Sequence, residues 1–416
     1  MLSPFAIAGI LVAVFVGFNI GGSSTGVAFG PAVGSRLVRK TTAAGLFTVF
    51  GFVGAWTVGR NVIDTMSSSI VPATQFTPAA SVGVLFFTGL SLLISNLYGV
   101  PASTSMTAVG AIVGLGLATG TLNEALMFTI LSAWIVAPLV GFASGALVGR
   151  YVYPYLDRRV AFTQFDAPLF QLDRSGGLPR PTVNENASST DIIGSAMVLV
   201  IACYMAFSAG ASNAANAVAP LVGQQGPLTV DQGVILAVFA FGLGGFTIAR
   251  RTLETVGDDI TELPILASLI VSIVGGTIIT VLSVLGIPAS LAVSTTCCII
   301  GLGWGRASRA VTVSELATPT PDETPELDVS TGALVASRTE GVPTSPTVGD
   351  LARGEAPAEQ SAADVPEIPD IGEEGPAELD RRSLFDPTAV TRIVSMWVLT
   401  PTLSVVGSYP LFLVVL

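Results

Sequence analysis

The chain has 416 residues, half of them apolar and only 11% charged, with a formal net charge of −11, no His and a mean hydropathy of +0.72. A soluble core of this length needs far less apolar sequence, so a soluble domain is excluded and an all-α polytopic membrane protein in contact with lipid is expected. Cys203, Cys297 and Cys298 lack metal-like spacing and no nucleophile stands beside a base, so no enzyme and no cofactor are expected, and no nucleic-acid partner either.

Met1-Leu2-Ser3-Pro4 carries no basic region and no cleavage site, so the apolar run 4–30 reads as an uncleaved first span. Further runs at 41–60, 79–98, 102–120, 125–149, 191–219, 230–249, 264–285, 287–304 and 389–416 each suit a helix crossing about 30 Å of hydrocarbon. The expectation is about 10–12 membrane segments, some broken or re-entrant, since several are rich in Gly, Ser and Thr.

Basic residues follow alternate spans: Arg36, Arg39 and Lys40; Arg150, Arg158 and Arg159; Arg250 and Arg251; Arg306 and Arg309. With the N-terminus outside, all of these fall on the cytoplasmic side and only Arg60 falls outside, as the positive-inside bias requires. Corresponding points of the two halves are then an odd number of spans apart, which makes them two inverted-topology repeats.

The organisation read from composition is a first transmembrane repeat at 1–149, a polar cytoplasmic linker at 150–190, a second repeat at 191–304, an acidic insertion at 305–388 and a final segment at 389–416. The insertion is rich in Pro, Glu, Asp, Ala, Ser and Thr, too polar to bury a core, and reads as a disordered cytoplasmic tether. Asn186-Ala187-Ser188 is a formal glycosylation triplet on the side where it has no meaning. One Lys among many Arg, with an acidic balance, suits a cytoplasm at very high salt.

The halves repeat each other in detail. Gly21-Gly22-Ser23-Ser24-Thr25-Gly26 with Pro31 and Gly34 recurs as Gly210-Ala211-Ser212-Asn213-Ala214-Ala215-Asn216 with Pro220 and Gly223. Gly99-Val100-Pro101-Ala102-Ser103 recurs as Gly286-Ile287-Pro288-Ala289-Ser290, Val62-Ile63-Asp64-Thr65 as Thr252-Leu253-Glu254-Thr255, and Ser132-Ala133-Trp134 with Pro138 as Ser395-Met396-Trp397 with Pro401. A site built twice in a membrane chain points to a transporter with its substrate near the bilayer midplane. Pro101 to Ser105 and Pro288 to Ser290 read as helix starts inside the membrane, whose free amides and positive dipole ends favour a small oxyanion.

At these residues the chain resembles the inorganic phosphate transporter (PiT) family of cation–phosphate symporters, as a divergent, haloarchaeal-like member. The family pattern G-A-N-D-x-A-N-A-x-G-T-x-V-G-S-R is matched in its tail by Ala28 to Arg36, the second copy by Ala215 to Pro220, the G-x-P-x-S-T-T pattern by Gly99 to Ser105, and E-T-V-G-x-x-I-T by Glu254 to Thr261. The resemblance implies phosphate transport by alternating access around Ser23, Ser24, Thr25, Ser103, Thr104, Ser105, Ser212, Asn213, Asn216, Ser290, Ser294 and Thr295. It implies Na⁺ as the coupling ion rather than H⁺, with Ser24, Asn213 and Asn216 as its neutral ligands. The family's Asn-Asp pairs are here Ser23-Ser24 and Ser212-Asn213, so both signature carboxylates are gone. Weakened or altered cation coupling follows from that loss, and sulfate or another oxyanion stands as the rival substrate. A non-transporting anion receptor is the rival of another class. The cell membrane is the expected location, and whether the chain forms a homo-oligomer stays open.

Overall fold

The computed structural model describes residues 3–34, 37–97, 103–153, 155–156, 170–173, 180–183, 189–223, 226–247, 265–307 and 387–415. Most of the insertion, Pro101, Ala102, Glu254 and, of the basic residues, Arg36, Arg158, Arg159, Arg250, Arg251 and Arg309 lie outside these residues.

The helices are α1 (Pro4–Gly34), α2 (Lys40–Thr57), α3 (Gly59–Asp64), α4 (Pro78–Leu97), α5 (Thr104–Thr119), α6 (Glu124–Leu147), α7 (Ser189–Val218), α8 (Val230–Thr247), α9 (Ile265–Val284), α10 (Leu291–Ala307) and α11 (Pro387–Val415). The linker holds two short antiparallel strands, β1 (Phe170–Asp173) and β2 (Arg180–Val183), a small addition to an otherwise helical protein. Among the described residues six helices are long and apolar enough to cross a membrane, or seven when α2 and α3, bent by 61°, count as one broken span. α5 and α10, at 16 and 17 residues, fall short of the roughly 20 that a perpendicular crossing needs. The outer surface of the bundle is apolar, with Phe128, Ile135, Val200 and Val414 among the side chains facing outward. A hydrocarbon solvent permits that exposure and water would not.

The two Gly-Ser stretches are not breaks. α1 runs unbroken through Gly21–Gly34, and α7 through Gly210–Val218. Their small residues instead let backbones touch. A Cβ on Gly21 would collide with the Phe241 backbone, one on Gly244 with the Phe18 carbonyl, one on Gly54 with the Phe207 carbonyl, and one on Gly210 with the Gly51 backbone. These contacts join α1 to α8 and α2 to α7, and in each case a helix of the first half packs on one of the second.

The same exchange recurs further along. α6 packs along α10, and α11 packs along α5, so the last helix of each half lies on the short helix of the other. Within each half, α1 meets α4 as α7 meets α9, and α4 meets α5 as α9 meets α10. The packing thus follows the repeat seen in sequence.

The chain turns between helices at points buried inside the protein. α9 closes on Gly286, whose φ of +71° only glycine adopts without strain, with the Gly286 and Ile287 amides returning to the Ser283 and Leu282 carbonyls. The Asn61 side-chain amide donates to the Val284 carbonyl at 2.9 Å, tying this turn to α3. Beyond α3, residues 65–69 form a π-turn whose Thr65 hydroxyl stands where a Cβ at Gly286 would fall. At the other end of α5, Asn123 caps α6, and its amides donate to the Ile70 and Ser69 carbonyls, fixing the loop that the charge pattern puts outside.

Candidate functional site

Two helices begin side by side in the interior, and their first turns define the site. Ser103 caps α5, its hydroxyl accepting from the Met106 amide at 3.3 Å, and Ser290 caps α10 by accepting from the Val293 amide at 3.3 Å. Both serines are buried. Capping leaves the Thr104 and Ser105 amides of α5, and the Leu291 and Ala292 amides of α10, without a partner inside their own helices. These amides and the dipole ends behind them are a neutral protein's means of holding a negative charge.

Hydrogen bonds bring the two starts together across the repeats. The Ser105 hydroxyl donates to the Ala289 carbonyl at 2.9 Å, immediately before α10. Trp134, from α6, donates its indole N–H to the adjacent Pro288 carbonyl at 2.7 Å. The approach to α10 is therefore held by two donors from the first half. The repeated Ser132-Ala133-Trp134 was a visible signal of this, but periodicity alone gave Trp134 no role.

α7 adds the polar wall. The Thr104 hydroxyl and the Asn216 amide both donate to Asn213 Oδ1, at 2.9 and 3.1 Å, and the Asn216 amide also reaches Ser105 Oγ at 3.1 Å. With its oxygen taken twice, Asn213 has its NH₂ left as the group that can donate. Asn216 is in the reverse position: its Oδ1, on a residue only 1% exposed, has no partner. An acceptor left open at such depth suits a cation or a ligand hydroxyl. Thr104, Ser105, Asn213 and Asn216 thus form one network that joins α5, α7 and the start of α10.

The remaining candidates stand differently. Thr25 and Thr295 are buried, but their hydroxyls return to the Gly21 carbonyl and to the Leu291 and Ala292 carbonyls, and their bodies fill the space above Gly245 and Gly275. That is helix packing by back-bonded threonines. Ser212 likewise returns to the Ala209 carbonyl at 3.4 Å, and Ser23 to the Ile20 carbonyl while exposed. Ser24 and Ser294 are buried, and among the described residues neither shares a hydrogen bond with the network. Where α5 offers Thr104 and Ser105, α10 offers Leu291 and Ala292, so the site is lopsided, with hydroxyls on one start and apolar groups on the other.

No group of three or more His, Cys, Asp or Glu that could hold a metal occurs among the described residues. Asp64 is exposed, its carbonyl accepting from Ser68, and Arg60 pairs with Asp231 at 2.7 Å near the surface, stacked on Trp56. Such a pair is worth little by itself.

Comparison with known proteins adds the context. Residues 20–408 match the family model described as the phosphate transporter family. The chain is 33% identical over 301 residues to the sulfate permease CysP of Bacillus subtilis, covering 72% of this chain and 77% of that one. It is 25% identical over 398 residues to a Chlamydia pneumoniae protein described provisionally as a phosphate permease, covering 75% and 92%. A solved structure titled "The sodium-dependent phosphate transporter" matches with a TM-score of 0.61 at 18% identity over 99% of both chains, a likeness of fold.

Proposed function

The chain belongs to the phosphate transporter family, and on that premise we propose that it moves a tetrahedral oxyanion across the cell membrane by alternating access, taking sulfate at least as readily as phosphate. It is a multi-pass membrane protein of a transporter family, not an enzyme. The observation that carries the reading is the network of Thr104, Ser105, Asn213 and Asn216 joining two buried helix starts. Donors outnumber acceptors there and no ionised acid stands among them, so a bare anion is favoured.

The family and several relatives support phosphate as a substrate. Sulfate is favoured by a separate observation. Protonated phosphate carries O–H groups that a carboxylate acceptor would suit best, and the described network offers only neutral amide and hydroxyl oxygens, whereas sulfate needs donors only. The relative at 33% identity bears a sulfate permease name.

The inverted arrangement of the halves, with the N-terminus outside, is supported by the exchanged packing and by the basic clusters. Na⁺ is the co-transported ion of this reading, held by Asn216 Oδ1 with neutral neighbours and so coupled weakly.

The test is uptake of labelled sulfate and phosphate into proteoliposomes of the purified protein, each competed by the other, with and without an inward Na⁺ gradient. The expected result is saturable flux of both, sulfate inhibiting phosphate uptake at equal or lower concentration, with a small response to Na⁺. Phosphate flux untouched by excess sulfate would overturn the sulfate preference, and the absence of any flux from the purified protein would favour a receptor.

Trp134→Phe keeps an aromatic ring but removes the donor to Pro288 together with the five-membered ring that carries it. It should raise the half-saturating oxyanion concentration roughly three- to tenfold, the worth of one hydrogen bond at ~0.5–1.5 kcal/mol, with a smaller change in maximal rate. Equal kinetics in the variant and the parent would mean that α10 keeps its place without this bond.

A further inference from the structure

The two exchanged helix seams follow one plan but differ in what fills them. The repeat that aligns Trp134 and Pro138 with Trp397 and Pro401 also aligns Ala137, Gly141 and Gly145 of α6 with Thr400, Ser404 and Ser408 of α11. In the α6–α10 seam the glycines sit against backbone, Gly141 on the Ser294 carbonyl and Gly145 on the Cys298 carbonyl, with the buried Cys298 and Leu302 completing an apolar contact. That seam leaves no room for solvent.

In the α5–α11 seam the glycines are on the other helix, and hydroxyls face them. Thr400, Ser404 and Ser408 lie one turn apart on one face of α11, each fully buried; a Cβ on Gly110 of α5 would meet the Pro401 carbonyl first and Ser404 next, and one on Gly114 would meet the Ser408 hydroxyl. Ser408 satisfies itself on the Val405 carbonyl at 3.2 Å. Ser404 Oγ has no partner, and neither does Thr107 Oγ1, which stands one turn before Gly110 on the same face of α5. Both residues are 0% exposed. A buried hydroxyl without a partner is costly in protein or lipid, and two on a single seam point to a small polar occupant. An open groove of about 450 Å³ on the outer side of α11 is lined by Leu117, Val405, Val406, Tyr409 and Pro410, mostly apolar side chains, and includes neither Thr107 nor Ser404.

We propose that water occupies the α5–α11 seam, held by Thr107 and Ser404, and that this seam is the hydrated approach to the site at Thr104 and Ser105, while the α6–α10 seam stays dry. The proposal rests on the oxyanion permease reading. α5 runs from the site to the loop at Asn123, so the wet seam leads to the face that the charge pattern puts outside. Water along it lets an anion shed its hydration in steps on the way in.

The test uses thiol reactivity in reconstituted protein. One variant keeps Cys298 alone in the dry seam, with Cys203→Ala and Cys297→Ala. The other replaces all three cysteines with alanine and carries Ser404→Cys. A small polar methanethiosulfonate reagent should modify the thiol at position 404 at least tenfold faster than Cys298, and saturating sulfate should slow that reaction. Equal rates at the two positions would overturn the proposal.

A second measurement does not depend on the cysteine variants folding. In a dry seam, Thr107→Val and Ser404→Ala remove orphaned hydroxyls and should raise the thermal midpoint with uptake unchanged, which would overturn the proposal. In a wet seam, uptake falls severalfold and the midpoint does not rise. Failure of the parent protein to bind or move any oxyanion would remove the functional reading, while the labelling contrast would still decide whether the seam is wet.

Discussion

Restoring the two missing carboxylates, as Ser24→Asp with Asn213→Asp, should cut sulfate uptake by more than roughly tenfold and make the remaining flux depend on Na⁺. Asn213 is 6% exposed and already accepts hydrogen bonds from Thr104 and Asn216. An aspartate there can keep both bonds but loses the NH₂ donor and adds a negative charge beside a dianion. Two unit charges about 4 Å apart repel by ~4 kcal/mol at an effective dielectric of about 20, well above the ~1.4 kcal/mol that a tenfold change requires. The same charge draws in a cation, which partly offsets the repulsion and links the two ions. Uptake of labelled sulfate with and without Na⁺ checks this. Unchanged sulfate flux in the double variant would put the anion out of reach of Asn213.

The second large effect is structural. Gly54→Ala and Gly210→Ala should each reduce the yield of folded protein sharply and lower its thermal midpoint in detergent, at a cost of about 1–3 kcal/mol or more. In both cases the added Cβ meets backbone, the Phe207 carbonyl or the Gly51 main chain, and backbone cannot rotate away as a side chain can. Gly45→Ala on the same α2 is the control. There the nearest atom to a Cβ is the end of the Phe246 ring at 3.9 Å, so alanine should be neutral or slightly stabilising by virtue of helix propensity. A midpoint for Gly54→Ala equal to that of Gly45→Ala would mean that the α2–α7 contact yields.

Much of the architecture was legible because membrane sequence writes its plan in a few residues. Apolar runs marked the spans, and Pro-Ala-Ser marked the starts of α5 and α10 within a residue or two. Other features depend on partners far apart in the chain, which local periodicity does not encode. Nothing in the pattern of α6 says that its glycines meet α10 rather than α5. The Gly-Ser stretches of α1 and α7 looked like interruptions because small polar residues serve equally for breaks and for close helix contacts, and here they serve contact.

The candidate site was legible to a similar degree. Thr104, Ser105, Asn213 and Asn216 share a network, while Ser103 and Ser290 spend their hydroxyl oxygens as caps and Thr25 and Thr295 fill space above glycines. A hydroxyl's neighbour within its own turn competes with any ligand, and sequence cannot rank the two. Trp134 escaped because its partner is a backbone carbonyl of the other half.

The crossing of final helices between halves also has a consequence for how the chain is made. When the ribosome has finished α6, the surfaces of α1, α2, α5 and α6 that pack on α7, α8, α10 and α11 still lack their partners, so the first half cannot close as a unit before the second enters the bilayer. Closure waits longest at α5, whose partner α11 is synthesised only after the whole acidic insertion has emerged. During that interval Gly110 and Gly114 must lie against lipid or a borrowed helix. A nascent chain halted within the insertion should therefore remain open to proteases and to insertion factors until its last span arrives.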